Sequence, residues 1–244
     1  MLLSWSIGCS DISQEIADIN WDCGSFDGTK FEDICEPIID EDLDEIEEFF
    51  TKKPELLDYY DDSTFYSPIL LAAYLNKTES LEKLFELGAD PNITTADGSI
   101  PLIDVLSVHA SKATIKILLE NGADASYINS NPKAPFPTAL SVPSTKPEVY
   151  FMLIEYGADP NYKTENNFGG FDIPLKKSIL RYKYNIAYRV LVDYEVDYKY
   201  KFNTHINGKE FYIKDYLLEE QPPLLSEEQL KYRDSILMFL DKNK

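Results

Sequence analysis

The chain has 244 residues, 44% hydrophobic and 13% aromatic, enough to bury a core as one long domain or two small ones and too apolar for wholesale disorder. Its formal charge of −20 argues against nucleic acid, which is bound by Lys and Arg that release counterions from phosphates. Acidic residues interrupt every apolar run short of the ~20 residues that a bilayer crossing needs, so no transmembrane span is expected.

The charge is uneven. Residues 1 to 62 hold 19 acidic side chains against Lys30, Lys52 and Lys53, a net −16, which leaves −4 for residues 63 to 244. Two readings stand: a solvated face that keeps the protein soluble, and a field that steers a cationic protein partner.

The opening MLLSWSIGCSD sets Ser6, Ile7 and Gly8 before Cys9, like the end of a bacterial lipoprotein signal, but without a basic start and with a short apolar stretch. If Met1 is the true start this is no working signal, and Cys9, Cys23 and Cys35 are buried or idle thiols of a cytoplasmic chain. If the numbering begins inside a longer precursor, Cys9 is the lipidated residue of a periplasmic lipoprotein. Cys23 and Cys35 then remain as an even pair free to form a disulfide. The spacing of the three matches no zinc pattern.

After Asp27-Gly28, the segments FEDICEPII and LDEIEEFFTKKPELLDYY read as two helices. In the second, Leu43, Ile46, Phe49 and Phe50 make an apolar face, and Asp42, Asp44, Glu45, Glu47 and Glu48 make the wet one. Further on, Gly-Ala-Asp occurs at 88, 122 and 157, spaced by 34 and 35 residues, and Pro68, Pro101 and Pro137 precede these glycines by 20, 21 and 20 residues. Between the marks the apolar pattern is helical: SPILLAAYL then ESLEKLFEL, IPLIDVLSV then ATIKILLEN, FPTALSV then EVYFMLIEY. Pro suits a first helical turn, Gly88, Gly122 and Gly157 suit left-handed C-caps, and Asp90, Asp124 and Asp159 suit the turns that follow.

This combination of turn, Pro-started helix, second helix and Gly-Ala-Asp-Pro-Asn resembles the ankyrin repeat over about residues 65 to 165. The same ruler extends further. Pro174 opens IPLKKSILR, and Glu195, Val196 and Asp197 fall 21 residues later in the Gly-Ala-Asp places, as a decayed fourth repeat. Asp97-Gly98, Asp27-Gly28 and Asn207-Gly208 stand at one spacing before the next helix. EFYIKDYLLEE and SEEQLKYRDSILMFLDK supply a last helix pair. The fold expected is therefore all-α, a solenoid of about six helix-turn-helix units with β-turn fingers and atypical, more polar end units. Its parts would be an N-terminal extension (1–25), an acidic capping repeat (26–62), four repeats with the fourth degenerate (63–200) and a C-terminal cap (201–244).

Chemistry is scarce. The chain holds two histidines, His109 and His205, no phosphate-cradling Gly loop, no nucleophile elbow and no metal-ligand spacing, so no catalytic residue, metal or cofactor is expected. Twelve of the seventeen tyrosines lie between Tyr150 and Tyr232, and spacing such as Tyr184, Ile186 and Tyr188 assigns most of them to core or half-buried positions.

The resemblance implies that function lies in the fingers and at the ends of the first helices. The fingers lengthen, from 11 to 13 to 15 residues between Asp90, Asp124 or Asp159 and the next X-Pro, by drift or to reach a partner. On the second account Asn131, Lys133, Asn166, Asn167 and Phe168 are finger contacts, and Tyr74, Leu75, Val108, Ser144 and Arg181 are contacts from the helix side. Among ankyrin proteins, an acidic, irregular chain with a lipoprotein-like start looks most like a bacterial immunity protein. Such a protein neutralises a toxic secreted effector with a basic surface, such as a type VI secretion lipase. The alternative is an effector or host-range protein that captures a host protein. An enzyme would need its site in the first 60 residues, which are too few.

Overall fold

The computed structural model describes residues 23–61, 66–95, 98–108, 110–131, 134, 136–142, 145–165, 171–194, 196–204, 208, 210–219 and 225–243. These residues are mostly helical, with eleven α-helices and two short antiparallel hairpins, so the class is all-α. Contacts group the chain into two compact units, Met1–Ser144 and Thr145–Lys244.

In the first unit, α1 (Glu32–Asp40), α3 (Pro68–Tyr74) and α5 (Pro101–Ser107) alternate with α2 (Leu43–Lys52), α4 (Thr78–Glu86) and α6 (Lys112–Glu120). Each odd helix packs on the even helix that follows it; α1, α3 and α5 also pack in series, as do α2, α4 and α6. Ile34, Ile38, Ile46, Ile69, Leu81, Leu84, Leu102, Ile115 and Leu118 fill the space between them and are buried. Helices of seven to ten residues are too short to hold alone, so this apolar packing sustains them.

Two reversals recur. Odd helices turn through a left-handed residue, Glu41 at φ 58° and Asn76 at φ 55°, after which Asp42 N–H donates to the Pro37 carbonyl (2.9 Å) and Lys77 N–H to that of Ala72 (2.8 Å). Even helices end on Gly88 and Gly122, at φ 97° and 92°. There Ala89 N–H donates to Leu84 O (3.0 Å) and Gly88 N–H to Phe85 O (3.0 Å), the paired bonds of a Schellman cap, and Ala123 to Leu118 (2.9 Å) with Gly122 to Leu119 (3.1 Å) repeat them. The aspartate of each triplet then accepts the N–H two residues on, Asp90 from Asn92 (2.9 Å) and Asp124 from Ser126 (2.8 Å). The capping roles expected of Gly88, Gly122, Asp90 and Asp124 are thus seen in the structure.

Side chains then tie each pair to the next. Asn92 accepts from Asp124 N–H (2.8 Å) and donates to the Gly122 carbonyl (2.9 Å), and Asp58 accepts from Asp90 N–H (2.8 Å). On the other side, Glu41 accepts from Glu79 N–H (3.0 Å), and Asn76 Oδ1 accepts from Ser111 N–H (2.6 Å) and the Thr114 hydroxyl (2.9 Å).

One expectation fails locally. FPTALSV does not form an α-helix: only Ala139–Ser141 closes, as a 3-10 turn, and Val142 is extended at φ −70°, ψ 118°. The cause is Pro143, which disfavours helical geometry at the residue before it and has no N–H to donate. Pro137 lies outside the turn, before its N-cap Thr138, whereas Pro68 and Pro101 open α3 and α5.

In the second unit, α7 (Pro147–Glu155), α9 (Tyr184–Asp193) and α11 (Glu227–Lys242) pack in series, and α8 (Pro174–Leu180) and α10 (Ile213–Glu219) pack on each other and on α9 and α11 respectively. Strands β1 (Thr164–Glu165) and β2 (Phe171–Asp172) pair, as do β3 (Asn203–Thr204) and β4 (Glu210–Phe211). Gly157 caps α7 at φ 103°, Tyr182 closes α8 at φ 56°, and Asp159 accepts from Asn161 N–H (2.7 Å). In the blurred triplet, Glu195 lies outside the described residues, but Val196 is buried and Asp197 accepts from Lys199 N–H (2.9 Å). Asn161 accepts from Asp197 N–H (2.9 Å), as Asn92 does from Asp124 in the first unit. Lys176 is buried in α8 and donates to the Phe202 carbonyl (3.0 Å) and Asn203 Oδ1 (3.1 Å), fastening the approach to β3.

Nothing lies within 4 Å of a Cβ placed on Gly122, so its replacement is penalised by backbone conformation alone. Gly122→Ala is expected to lower stability by about 1 kcal/mol in urea unfolding; an unchanged midpoint would contradict the cap. Asn92→Ala removes two bonds to the next triplet and is expected to cost about 1–2 kcal/mol in the same assay.

Candidate functional site

The described residues contain no group of three or more His, Cys, Asp and Glu able to hold a metal ion, and no helix among them is long and apolar enough to cross a membrane. What the first unit offers instead is a face built by its odd helices. The bonds that close the three helices, from Asp42 N–H to Pro37 O, Lys77 N–H to Ala72 O and Ala110 N–H to Val105 O, set the register: Tyr74 corresponds to Ile39 and Ser107, Leu75 to Asp40 and Val108, and Leu71 to Glu36 and Asp104. Ile39, Tyr74, Leu75 and Val108 are half-buried, Glu36 and Asp40 are exposed, and Asp104 is half-buried. α1, α3 and α5 contain no Lys or Arg. This is an apolar strip edged with carboxylates.

Tyr74 is held from behind. Its ring meets Tyr66 edge-on at 6.0 Å, Tyr66 meets Phe26 at 5.5 Å, and Phe26 meets Phe31 at 6.2 Å. Phe26 ends the 3-10 turn Cys23–Phe26, and Cys23 is disulfide-bonded to the buried Cys35 of α1. Closing a loop of this length in the unfolded chain contributes about 3 kcal/mol in the chain-entropy account. Burial pushes the Tyr66 phenol up to about 12 from its ordinary value of 10.0.

Of the contacts expected from the sequence, Tyr74 and Leu75 at the end of α3 and Val108 at the end of α5 are half-buried at corresponding positions. Asn131 is half-buried in a finger, where its N–H donates to Asn129 Oδ1 (3.0 Å) and its carbonyl accepts from Ala134 N–H (3.0 Å). Arg181 is exposed at the end of α8 in the second unit. Lys133, Ser144, Asn166, Asn167, Phe168 and Cys9 lie outside the described residues. Sequence reasoning missed Glu36, Ile39, Asp40 and Asp104. Carrying the register of Tyr74 back onto α1 and forward onto α5 would have found them.

The two units differ in charge. Residues 1–144 hold 27 acidic and 8 basic residues, a net −19, and residues 145–244 hold 16 and 15, a net −1. The first-helix contrast is local as well: α1 carries four acids, whereas α8 carries Lys176 and Lys177 and ends at Arg181. No protein-family model matches the chain, and no curated protein matches it in sequence.

The stability gained by keeping the Tyr66 phenol neutral is fully present below pH 10 and is lost as pH rises through about 12. In a near-ultraviolet titration, Tyr66→Phe is expected to remove a tyrosinate that ionises near pH 12; loss of one ionising near pH 10 would show that Tyr66 is solvated.

Proposed function

We propose that the chain is an ankyrin-repeat solenoid of about six units and a non-catalytic module that binds another protein. The repeat reading is supported by the Schellman caps at Gly88, Gly122 and Gly157 and by the side-chain bridges from Asp58, Asn92 and Asn161 to the following triplets. A solenoid buries core between neighbouring pairs and leaves one face of helices and fingers to vary with the partner.

The observation that carries the functional reading is the strip of Ile39, Tyr74, Leu75 and Val108 edged by Glu36, Asp40 and Asp104, in a unit of net charge −19. Half-buried apolar groups supply contact area, and carboxylates around them accelerate encounter with a cationic surface. The partner is a cognate toxic effector with a basic surface, and the chain is its immunity protein. A type VI secretion lipase fits the resemblance to ankyrin immunity proteins. Occupying its substrate entrance would neutralise it without any reaction in this chain.

Where the neighbouring gene encodes a hydrolase or lipase, co-expression with this chain is expected to cancel that enzyme's toxicity. The purified pair should associate below micromolar concentration, and no binding at micromolar concentration would sink the immunity reading. Glu36→Lys combined with Asp40→Lys is expected to slow association about tenfold at low salt with little change in dissociation. An unchanged rate would move the electrostatic contact to another surface.

A further inference from the structure

Cys23 and Tyr74 are 51 residues apart in sequence yet joined by one run of contacts. The disulfide to Cys35 pins the turn Cys23–Phe26 against α1; Phe26, 3% exposed, presses on Tyr66 at 5.5 Å, and Tyr66 on Tyr74 at 6.0 Å. Rings packed edge to face constrain one another, so freeing one end loosens the other. We propose that the redox state of Cys23–Cys35 sets the order of the first unit's binding face, with Tyr74 as the residue that reports it.

The two sulfurs differ in access: Cys35 is fully buried and Cys23 is half-buried. A dithiol reductant therefore attacks Cys23 Sγ through its thiolate. The bond between the two cysteines breaks, and Cys35 leaves as a thiolate that takes up a proton in its apolar surroundings. The second thiol of the reductant resolves the mixed disulfide, releasing the Cys23 thiol and an oxidised cyclic disulfide, so two electrons pass from dithiol to cystine. With that link gone, the turn Cys23–Phe26 is held by local bonds such as Thr29 N–H to the Phe26 carbonyl (2.9 Å) and by Phe26 packing. The oxidised form presents Tyr74 in a fixed position, which lowers the ordering cost of binding; the reduced form does not.

The functional consequence rests on the binding face proposed above, but the coupling is measured without a partner. Hydrogen–deuterium exchange of the full chain, oxidised and then in dithiothreitol, is expected to quicken about tenfold at amides of Leu70–Asn76 while those of Leu118–Ala123 stay unchanged. Cys23→Ser should exchange like the reduced chain and ignore dithiothreitol. Phe26→Leu keeps the disulfide but breaks the ring contacts, so its oxidised form should also exchange like reduced wild type at Leu70–Asn76. Equal exchange in both redox states, an equal rise throughout the first unit, or a Phe26→Leu variant that behaves as oxidised wild type would each overturn the coupling. A cognate toxin bound equally well by Tyr74→Ala would overturn the binding face alone.

Discussion

Six of the helices end on a residue with positive φ: Glu41, Asn76 and Tyr182 after α1, α3 and α8, and Gly88, Gly122 and Gly157 after α4, α6 and α7. These left-handed reversals are the constraint on which the remaining structure depends, because they turn helices of seven to ten residues back onto one another before packing can sustain them. The glycines adopt the conformation freely. Glu41, Asn76 and Tyr182 do not, and each carries a penalty on the order of 1 kcal/mol, smaller for Asn. At two of these positions the strained residue also binds forward: Glu41 caps the Glu79 N–H, and Asn76 receives the Ser111 N–H and the Thr114 hydroxyl. The strain is thus placed where the side chain accepts a hydrogen bond at the start of the even helix of the following pair, α4 for Glu41 and α6 for Asn76.

The same economy governs the acids. Asp42 caps α2 by accepting from Glu45 N–H, Glu32 accepts from Gly28 N–H, Asp90 and Asp124 close their own turns, and Asp33 and Glu47 pair with Lys53 and Lys83. Much of the first unit's carboxylate count is therefore structural, although each ionised group still adds to the field. The exposed pairs add little stability themselves, since such bridges contribute ~0–1 kcal/mol. Glu36 and Asp40 stand apart from these duties on the exposed side of α1, beside Ile39.

How much of this was legible in the sequence depends on whether a residue acts through the backbone or through a neighbour. The caps were legible, because Gly88, Gly122 and Gly157 answer a local conformational demand that recurs at a fixed period. The blurred triplet at Val196 and Asp197 was legible for the same reason: a buried apolar residue and an Asx turn survive without the glycine. The failed helix at FPTALSV was also encoded locally, in Pro143, but regular spacing concealed it. The bridges from Asp58, Asn92, Asn76 and Asn161 span 30 to 38 residues, and only the stacking of pairs reveals them. For the candidate face, Tyr74, Leu75 and Val108 followed from their place at helix ends, whereas Glu36, Ile39, Asp40 and Asp104 required α1 and α5 to be aligned with α3.

Aromatic rings pack in series beside α1. Phe26 meets both Phe31 and Tyr66, and Phe31 also meets Tyr59 at 5.8 Å, with Lys30 lying 4.0 Å over the Tyr59 ring. Large flat rings each bury more area than small aliphatic groups do. They are also rigid, so they transmit position where Leu and Val would adjust by changing rotamer. On the proposed coupling, this run of rings links the covalent bond at Cys23 to the geometry of Tyr74, whereas aliphatic side chains would absorb the same displacement close to its origin.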